Sequence, residues 1–385
     1  MGGCKNANDD TASCTDGDAC TTPDACVAGK CLGTIPPSST STWFGNGTAG
    51  WSDGKGTQAK ITTAGAVLAT RGALAIGKDG TLYLADTGNE RIRKVAVDGT
   101  VTSLAGNGTT GWADGKGTAA TFWDPTGLAV ADDGTLYVAD RLNQRIRKVA
   151  VDGTVTTLAG TAPDPSFGDQ EALGGWNDGP GNQAQFSDPN ALILLGNVIY
   201  VADTLNHRIR KVLLDGTTST YAGTGIQSFA DDANPLSACF NTPTGIAAGA
   251  DGTLYIADSG NRRIRVIAPN GGAVTTLAGN GLVGNADGAA ADATFMVPYG
   301  LFMNSDAQLF VADTGGHRLR RIAGGQVTTL AGSSLGYKEG LLTVAQFDAP
   351  SSIVQASAGV WYVVDALNFR VRKLLDPTVT CPPKN

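Results

Sequence analysis

A chain of 385 residues with 53 Gly, 16 Pro, only 3 Met and 16% charged residues is rich in turns and poor material for long helices. It holds no run of 18 apolar residues, so no membrane-spanning helix is expected. The net charge of −7 argues against a partner with a phosphate backbone or an anionic bilayer surface. Length alone would allow two or three domains, but β-rich architectures often use this many residues as one body.

The chain opens on a cysteine-dense segment: Cys4, Cys14, Cys20, Cys26 and Cys31 fall in the first 31 residues, and only Cys239 and Cys381 follow. Among Asp, Gly, Thr and Ala, with almost no large apolar residue, such cysteines cannot be held by a hydrophobic core. They read as disulfide-stapled loops, which implies an oxidising compartment. The gaps of five, five and four residues between Cys14, Cys20, Cys26 and Cys31 lack the CxxC pairs of a structural zinc site. A disulfide module over residues 1–37 is therefore expected, with no metal. The string CTDGDACTTPDACVAGKC resembles short cysteine repeats of secreted bacterial proteins, a likeness that implies export to the periplasm, the cell surface or beyond. Residues 1–10 carry a single Lys and no apolar stretch, so a mature or trimmed form is expected. The opening MGGC leaves two readings of Cys4, an acylated lipid anchor or half of an ordinary disulfide.

One phrase then recurs six times: YLADTGNERIRKV from Tyr83, YVADRLNQRIRKV from Tyr137, YVADTLNHRIRKV from Tyr200, YIADSGNRRIRVI from Tyr255, FVADTGGHRLRRI from Phe310 and YVVDALNFRVRKL from Tyr362. The starts lie 54, 63, 55, 55 and 52 residues apart. Periods in this range with several β-rich segments per unit predict a propeller of four-stranded antiparallel blades. In one repeat the strands read PTGLAV (125–130, strand a), TLYVAD (135–140, strand b), RIRKV (145–149, strand c) and TVTTLAG (154–160, strand d). The DDGT and VDGT links carry the Asp-Gly signal of tight hairpins.

These repeats resemble those of the NHL family over about 340 of the 385 residues, which implies an all-β, six-bladed β-propeller. The segment STSTWFGNGTAGWSDGKG (39–56) aligns with VTSLAGNGTTGWADGKG (101–117), so the first propeller segment is a strand d without its own a, b or c. Residues 38–45 are expected to complete the last blade of a propeller spanning 38–385, removing two open sheet edges. Cys381 then arrives near the N-terminal module and is expected to pair with one of its cysteines. Cys239 is left as the odd, buried thiol.

Twelve of the sixteen arginines lie in the six RIR-type phrases. Residues two apart on a strand share a face, and both faces of a blade pack on neighbours, so these guanidinium groups need acceptors. The Asp ending each strand b, namely Asp86, Asp140, Asp203, Asp258, Asp313 and Asp365, supplies one per blade. A blade-fixing ladder with Arg91, Arg145, Arg208, Arg263, Arg318 and Arg370 is expected, in preference to an anion-binding ring.

Strands a and c run opposite to b and d, so the long d–a loops and the b–c turns share one face. The loops carry aromatics: GWSDGKG with Trp51, GWADGKG with Trp112, GGWNDGPG with Trp176 and GYKEG with Tyr337. Long loops on a rigid scaffold are the usual place for binding residues. The competing expectation is that each ring pins its loop to the blade. An enzyme would need acid, base or metal ligands at the central channel, yet the strand-a segments ALAI, GLAV, ALIL, GIAA, GLFM and SIVQ contain no His, Glu, Asp or Lys. Asp124, Asp188, Asn241 and Asp348, just before strand a, could hold calcium through oxygen ligands or cap the following turn. Capping is preferred, and no cofactor is expected. Two histidines, His207 and His317, cannot furnish a zinc centre of the lyase kind. The expected function is an extracellular or cell-surface binding or scaffolding module, recognising a protein or glycan through the d–a loop face. A metal-dependent lyase or lactonase-like hydrolase, and a self-assembling surface protein, are the alternatives.

Overall fold

A computed structural model describes residues 38–65, 72–161 and 174–376, together with the backbone of a short hairpin, Asp24–Val27 and Lys30–Gly33. Six antiparallel sheets of four or five strands form the blades. From the first blade to the sixth, strand a is Leu74–Ile76, Pro125–Val130, Pro189–Leu195, Pro243–Ala248, Pro298–Met303 and Pro350–Ser357. Strand b is Leu82–Asp86, Leu136–Asp140, Val198–Asp203, Leu254–Asp258, Leu309–Asp313 and Val360–Asp365. Strand c is Arg91–Val95, Arg145–Val149, Arg208–Leu213, Arg263–Ile267, Arg318–Ala323 and Arg370–Leu375. Strand d is Thr100–Ala105, Thr154–Ala159, Thr218–Ala222, Val274–Ala278 and Gln326–Ala331 in the first five.

In the sixth sheet, Ser39–Phe44 lies antiparallel to Arg370–Leu375, with Thr42 opposite Arg372. Phe44 is fully buried there, and Trp43 stacks on Tyr362 at 3.8 Å. The blades differ from the expected four strands. In blades one, two, five and six the d–a loop adds a two-residue fifth strand, Gly54–Lys55, Gly115–Lys116, Gly288–Ala289 and Gly340–Leu341, along the outer edge of strand d. The loop thereby pairs an edge that would otherwise be open.

The core lies between blades. Ala75, Tyr83 and Ile92 of the first blade pack with Phe122, Leu128 and Leu136 around the second. Phe122, Phe186, Phe240, Phe295 and Phe347, each fully buried, come from the ends of the d–a loops. Burying such a ring contributes about 1.5–3 kcal/mol. Each loop is thus tied to its blade from beneath.

The cysteine expectations fall largely outside the described residues: Cys4, Cys14, Cys20 and Cys381 lie there, as do the side chains of Cys26 and Cys31, whose backbones stand opposite one another. Cys239 is a free thiol, half-buried and not fully buried, with its Sγ 3.2 Å from Thr224 Oγ1.

Candidate functional site

Each blade is built around a guanidinium. The second arginine of every repeat phrase, Arg93, Arg147, Arg210, Arg265, Arg320 and Arg372, is fully buried. In five blades its Nη1 donates to the carboxylate ending strand b, at 2.6–2.9 Å for Asp86, Asp140, Asp203, Asp258 and Asp365. Its Nη2 meets a second carboxylate on the incoming d–a loop: Asp53, Asp114, Asp178, Asp231 or Asp287, at 2.5–2.8 Å. Backbone carbonyls take further donors, as Thr121 and Ala113 do for Arg147. A charge removed from water needs partners of this kind. Burial pushes the Asp365 carboxyl up to about 6 in spite of these donors. In the sixth loop Glu339 replaces the outer Asp and binds Thr42 and Tyr337, while Arg372 turns Nη2 to Thr40 and the Lys338 carbonyl.

Blade five departs from this pattern: Asp313 stands 3.6 Å from Arg320 and accepts from the Met296 and Val297 amides. Elsewhere an Asn such as Asn89, Asn206, Asn261 or Asn368 donates to the strand-b carboxylate. Gly316 takes that place in blade five, where the carboxylate accepts two backbone amides in place of the one it accepts in each other blade.

The expected ladder is corrected in one respect. Arg145 stands directly opposite Asp140 on the paired strands, yet the ion pair goes to Arg147. The guanidinium of the directly opposite arginine lies against the loop ring, and the arginine two residues on reaches diagonally back to the carboxylate. Arg91, Arg145, Arg208, Arg263 and Arg370 instead lie beneath the loop aromatics. The guanidinium carbon is 4.3 Å from the ring centre of Trp51 for Arg91 and of Trp112 for Arg145. It is 4.6 Å from Trp176 for Arg208, 3.9 Å from Phe229 for Arg263 and 4.0 Å from Tyr337 for Arg370. Arg91 also donates to the carbonyls of Asn89 and Asn107. Gly108, at φ 88°, leaves the room it occupies, since a Cβ there would overlap the guanidinium. In the fifth loop Asn285 stands at the sequence position of the ring, and Arg318 donates to the Ser333 carbonyl.

Each ring is pinned on one side and open on the other. Trp51, Trp112, Trp176, Phe229 and Tyr337 are 47, 53, 57, 41 and 42% exposed. Phe229 escaped the sequence reading because its loop lacks the G-W frame; the FAD string at 229–231, matching WAD at 112–114, was the available signal.

At the channel mouth the four candidate oxygen donors do not act as a set. Asp124 and Asp188 are drawn together by Arg141, which gives Nη1 to one and Nη2 to the other, both at 2.6 Å, with all three residues buried. Asn241 accepts from Gln227 at 3.0 Å, and Asp348 lies 3.7 Å from His317 Nδ1. Among the described residues, no group of three or more His, Cys, Asp or Glu side chains is placed to hold a metal ion. Strand-a residues line a central cavity of about 80 Å³, crossed by a 2.8 Å hydrogen bond from Tyr299 Oη of blade five to Asn190 Oδ1 of blade three.

Comparison with known proteins adds the repeat type. A family model described as the teneurin NHL domain matches residues 62–150 and 114–213, and one described as the NHL repeat matches 240–267. The human NHL repeat-containing protein 2 is 27% identical over 327 residues, covering 76% of this chain and 44% of that protein. Protein SUPPRESSOR OF QUENCHING 1, chloroplastic, of Arabidopsis thaliana is 29% identical over 289 residues, covering 71% of this chain and 27% of that protein. The chain therefore spans less than half the length of these relatives. A crystal structure of a protein of unknown function from Bacteroides thetaiotaomicron superposes with a TM-score of 0.65 at 18% identity, over 91% of this chain and 80% of that one. Repeat phrase, six sheets and matched models together support a six-bladed β-propeller of the NHL-repeat type.

Proposed function

We propose that the chain is an extracellular or cell-surface binding module that recognises a protein or glycan through the d–a loop face. One observation carries the reading. Five loops hold an aromatic ring in the same place, one face fixed on a buried or half-buried arginine and the other open to solvent. An aromatic that needed only to anchor its loop would bury more of its surface, and the Phe beneath each of these loops except the first already does the anchoring. Held rings offer large contact area at little conformational cost, as binding surfaces use Trp and Tyr. The density of cysteines in residues 1–37 supports the oxidising location. Among the described residues no helix is long and apolar enough to cross a membrane. The lyase or lactonase alternative would have to find its ligands elsewhere than Asp124 and Asp188, each of which already gives an oxygen to Arg141; stoichiometric zinc or calcium after chelator-free purification would favour it.

The test compares Trp112→Ala/Trp176→Ala with Arg147→Ala on glycan arrays and in cross-linking to proteins of the source surface. The double Trp variant is expected to lose the wild-type signal with little change in melting temperature. Arg147→Ala strands Asp140 and Asp114 and is expected to cost about 3–5 kcal/mol of stability. A double Trp variant that unfolds yet keeps residual binding would make the rings anchors and remove the main support for this face.

A further inference from the structure

Between strand d of the second blade and the loop entering the third lies a cavity of about 690 Å³. Its size falls within the roughly 300–1,000 Å³ usual for small-ligand sites. Trp112 lines it beside Arg145, and Asp114, Thr157, Asn182 and Asp215 supply polar groups. We propose that this cavity binds a neutral saccharide unit, with the pyranose C–H face against the Trp112 ring and its hydroxyls on the surrounding carboxylates and amide. The inference rests on the reading of the loop face as a binding surface, and names one site and one ligand class on it.

The chemistry selects that class. The indole face is electron-rich and favours polarised C–H groups. Asp114 is held rigid: its carboxylate accepts from Arg147 Nη2 at 2.8 Å and from the Thr157 amide and hydroxyl at 3.1 Å, yet the side chain remains 49% exposed. It is a fixed acceptor with a free side toward solvent, suited to a sugar hydroxyl. Asn182 and Asp215 are exposed and line the same cavity. An anion would face the carboxylates of Asp114 and Asp215, while the guanidinium of Arg145 is covered by Trp112. A bare cation is disfavoured because the Asp114 carboxylate is already engaged by Arg147 and by the Thr157 amide and hydroxyl. A ligand with many hydroxyls and one apolar face answers both constraints. Residues 180–182 shape the wall. Pro180, Gly181 and Asn182 form a tight turn against strand d, where a Cβ on Gly181 would strike the Leu158 carbonyl.

The test is saturation-transfer NMR and calorimetry on the full chain with glucose, galactose, mannose, N-acetylglucosamine and their common disaccharides. At least one is expected to bind saturably to wild type and to weaken at least about tenfold, or 1.4 kcal/mol, in Trp112→Ala. Asn182→Trp, which fills the cavity and leaves every loop ring in place, is expected to abolish the same binding while the circular dichroism and melting curves stay as in wild type. No binding by any sugar of the panel, or binding that survives Asn182→Trp, overturns the proposal. Loss of a protein partner in the double Trp variant together with no sugar binding would leave the loop-face reading standing and this one refuted.

Discussion

Arg141 occupies the position that a hydroxyl holds in four other blades. Thr87, Thr204, Ser259 and Thr314 each donate to the carbonyl of the proline that starts strand a of the next blade, at Pro125, Pro243, Pro298 and Pro350. In the second blade the strap is ionic: Arg141 ties Asp124 of its own blade to Asp188 of the next. Replacing it by the residue the repeat itself favours, Arg141→Thr, is expected to destabilise by about 3–5 kcal/mol, because two buried carboxylates lose their cation. Urea unfolding measures this, and an unchanged midpoint would show the pair to be indifferent to the arginine. Nothing in the sequence singled out Arg141, since the run Thr, Arg, Thr, Ser, Thr, Ala at that position reads as ordinary variation. The strand-b carboxylates were legible because the Asp recurs one turn from each arginine pair in all six phrases. Which arginine of the pair takes the carboxylate was not, because that depends on where the loop ring lies against the strand.

The b–c turn is the element that joins neighbouring blades on the loop face. Each is a three-residue 3-10 turn closed by a left-handed residue: Glu90, Gln144, His207, Arg262, His317 and Phe369 have φ between 50 and 55°. Non-glycine residues there carry strain of roughly 1 kcal/mol or more. Four of them offset it by accepting a backbone amide of the next blade: Glu90 from Asp124 at 2.6 Å, Gln144 from Asp188 at 2.7 Å, His207 from Thr242 at 3.1 Å and His317 from Ala349 at 3.2 Å. Both histidines accept on Nδ1, and burial holds them below the usual value, so they stay neutral near neutral pH. Burial also pushes the Glu90 carboxyl up to about 8, with Asp124 and Asp140 adding repulsion. A raised carboxyl favours folding in its protonated form. Its contribution is complete below the unfolded value of 4.5 and is lost as the pH rises to about 8. Glu90→Gln, which gives the first blade the acceptor that Gln144 gives the second, is therefore expected to match wild type near pH 4 and exceed it at pH 9. The gain is expected at about 1–3 kcal/mol, below the 1.4 kcal/mol per unit of the linkage relation because buried charges draw in water. Parallel stability curves at the two pH values would refute the role of Glu90. The sequence already spoke against the two histidines as zinc ligands; the turn geometry that makes them acceptors is a property of the folded element.

At the scale of the whole molecule, the period of the repeat made the blade count legible, and one strand ties the two ends of the chain. Ser39–Phe44 is separated from Arg370–Leu375 by the entire propeller, yet the two form the register of a single hairpin. The seam is joined by side chains as well as by the ladder. Arg372 donates to Thr40, Glu339 accepts from Thr42, Ser38 reaches Asp376 at 2.9 Å and Phe44 fills the interface between the last blade and the first. A ring gains from such a seam because every other blade rests on two neighbours, and an unsealed sixth blade would leave strand c exposed as an edge. Two variants separate the strand from what precedes it. Removing residues 1–37 deletes the expected disulfide partner of Cys381, so the urea midpoint under oxidising conditions is expected to fall, by about 2–4 kcal/mol in stability, and an unchanged midpoint would speak against that pairing. Phe44→Ala, in the otherwise complete chain, is expected to cost about 3–5 kcal/mol from the lost ring and the cavity left between blades. It should also raise the tendency to oligomerise, as the loosened edge of Arg370–Leu375 finds strands of other copies, which light scattering after size exclusion would detect. If Phe44→Ala keeps both midpoint and monodispersity, the sixth blade is stable without this strand, and the two ends are neighbours in the sheet without being needed there.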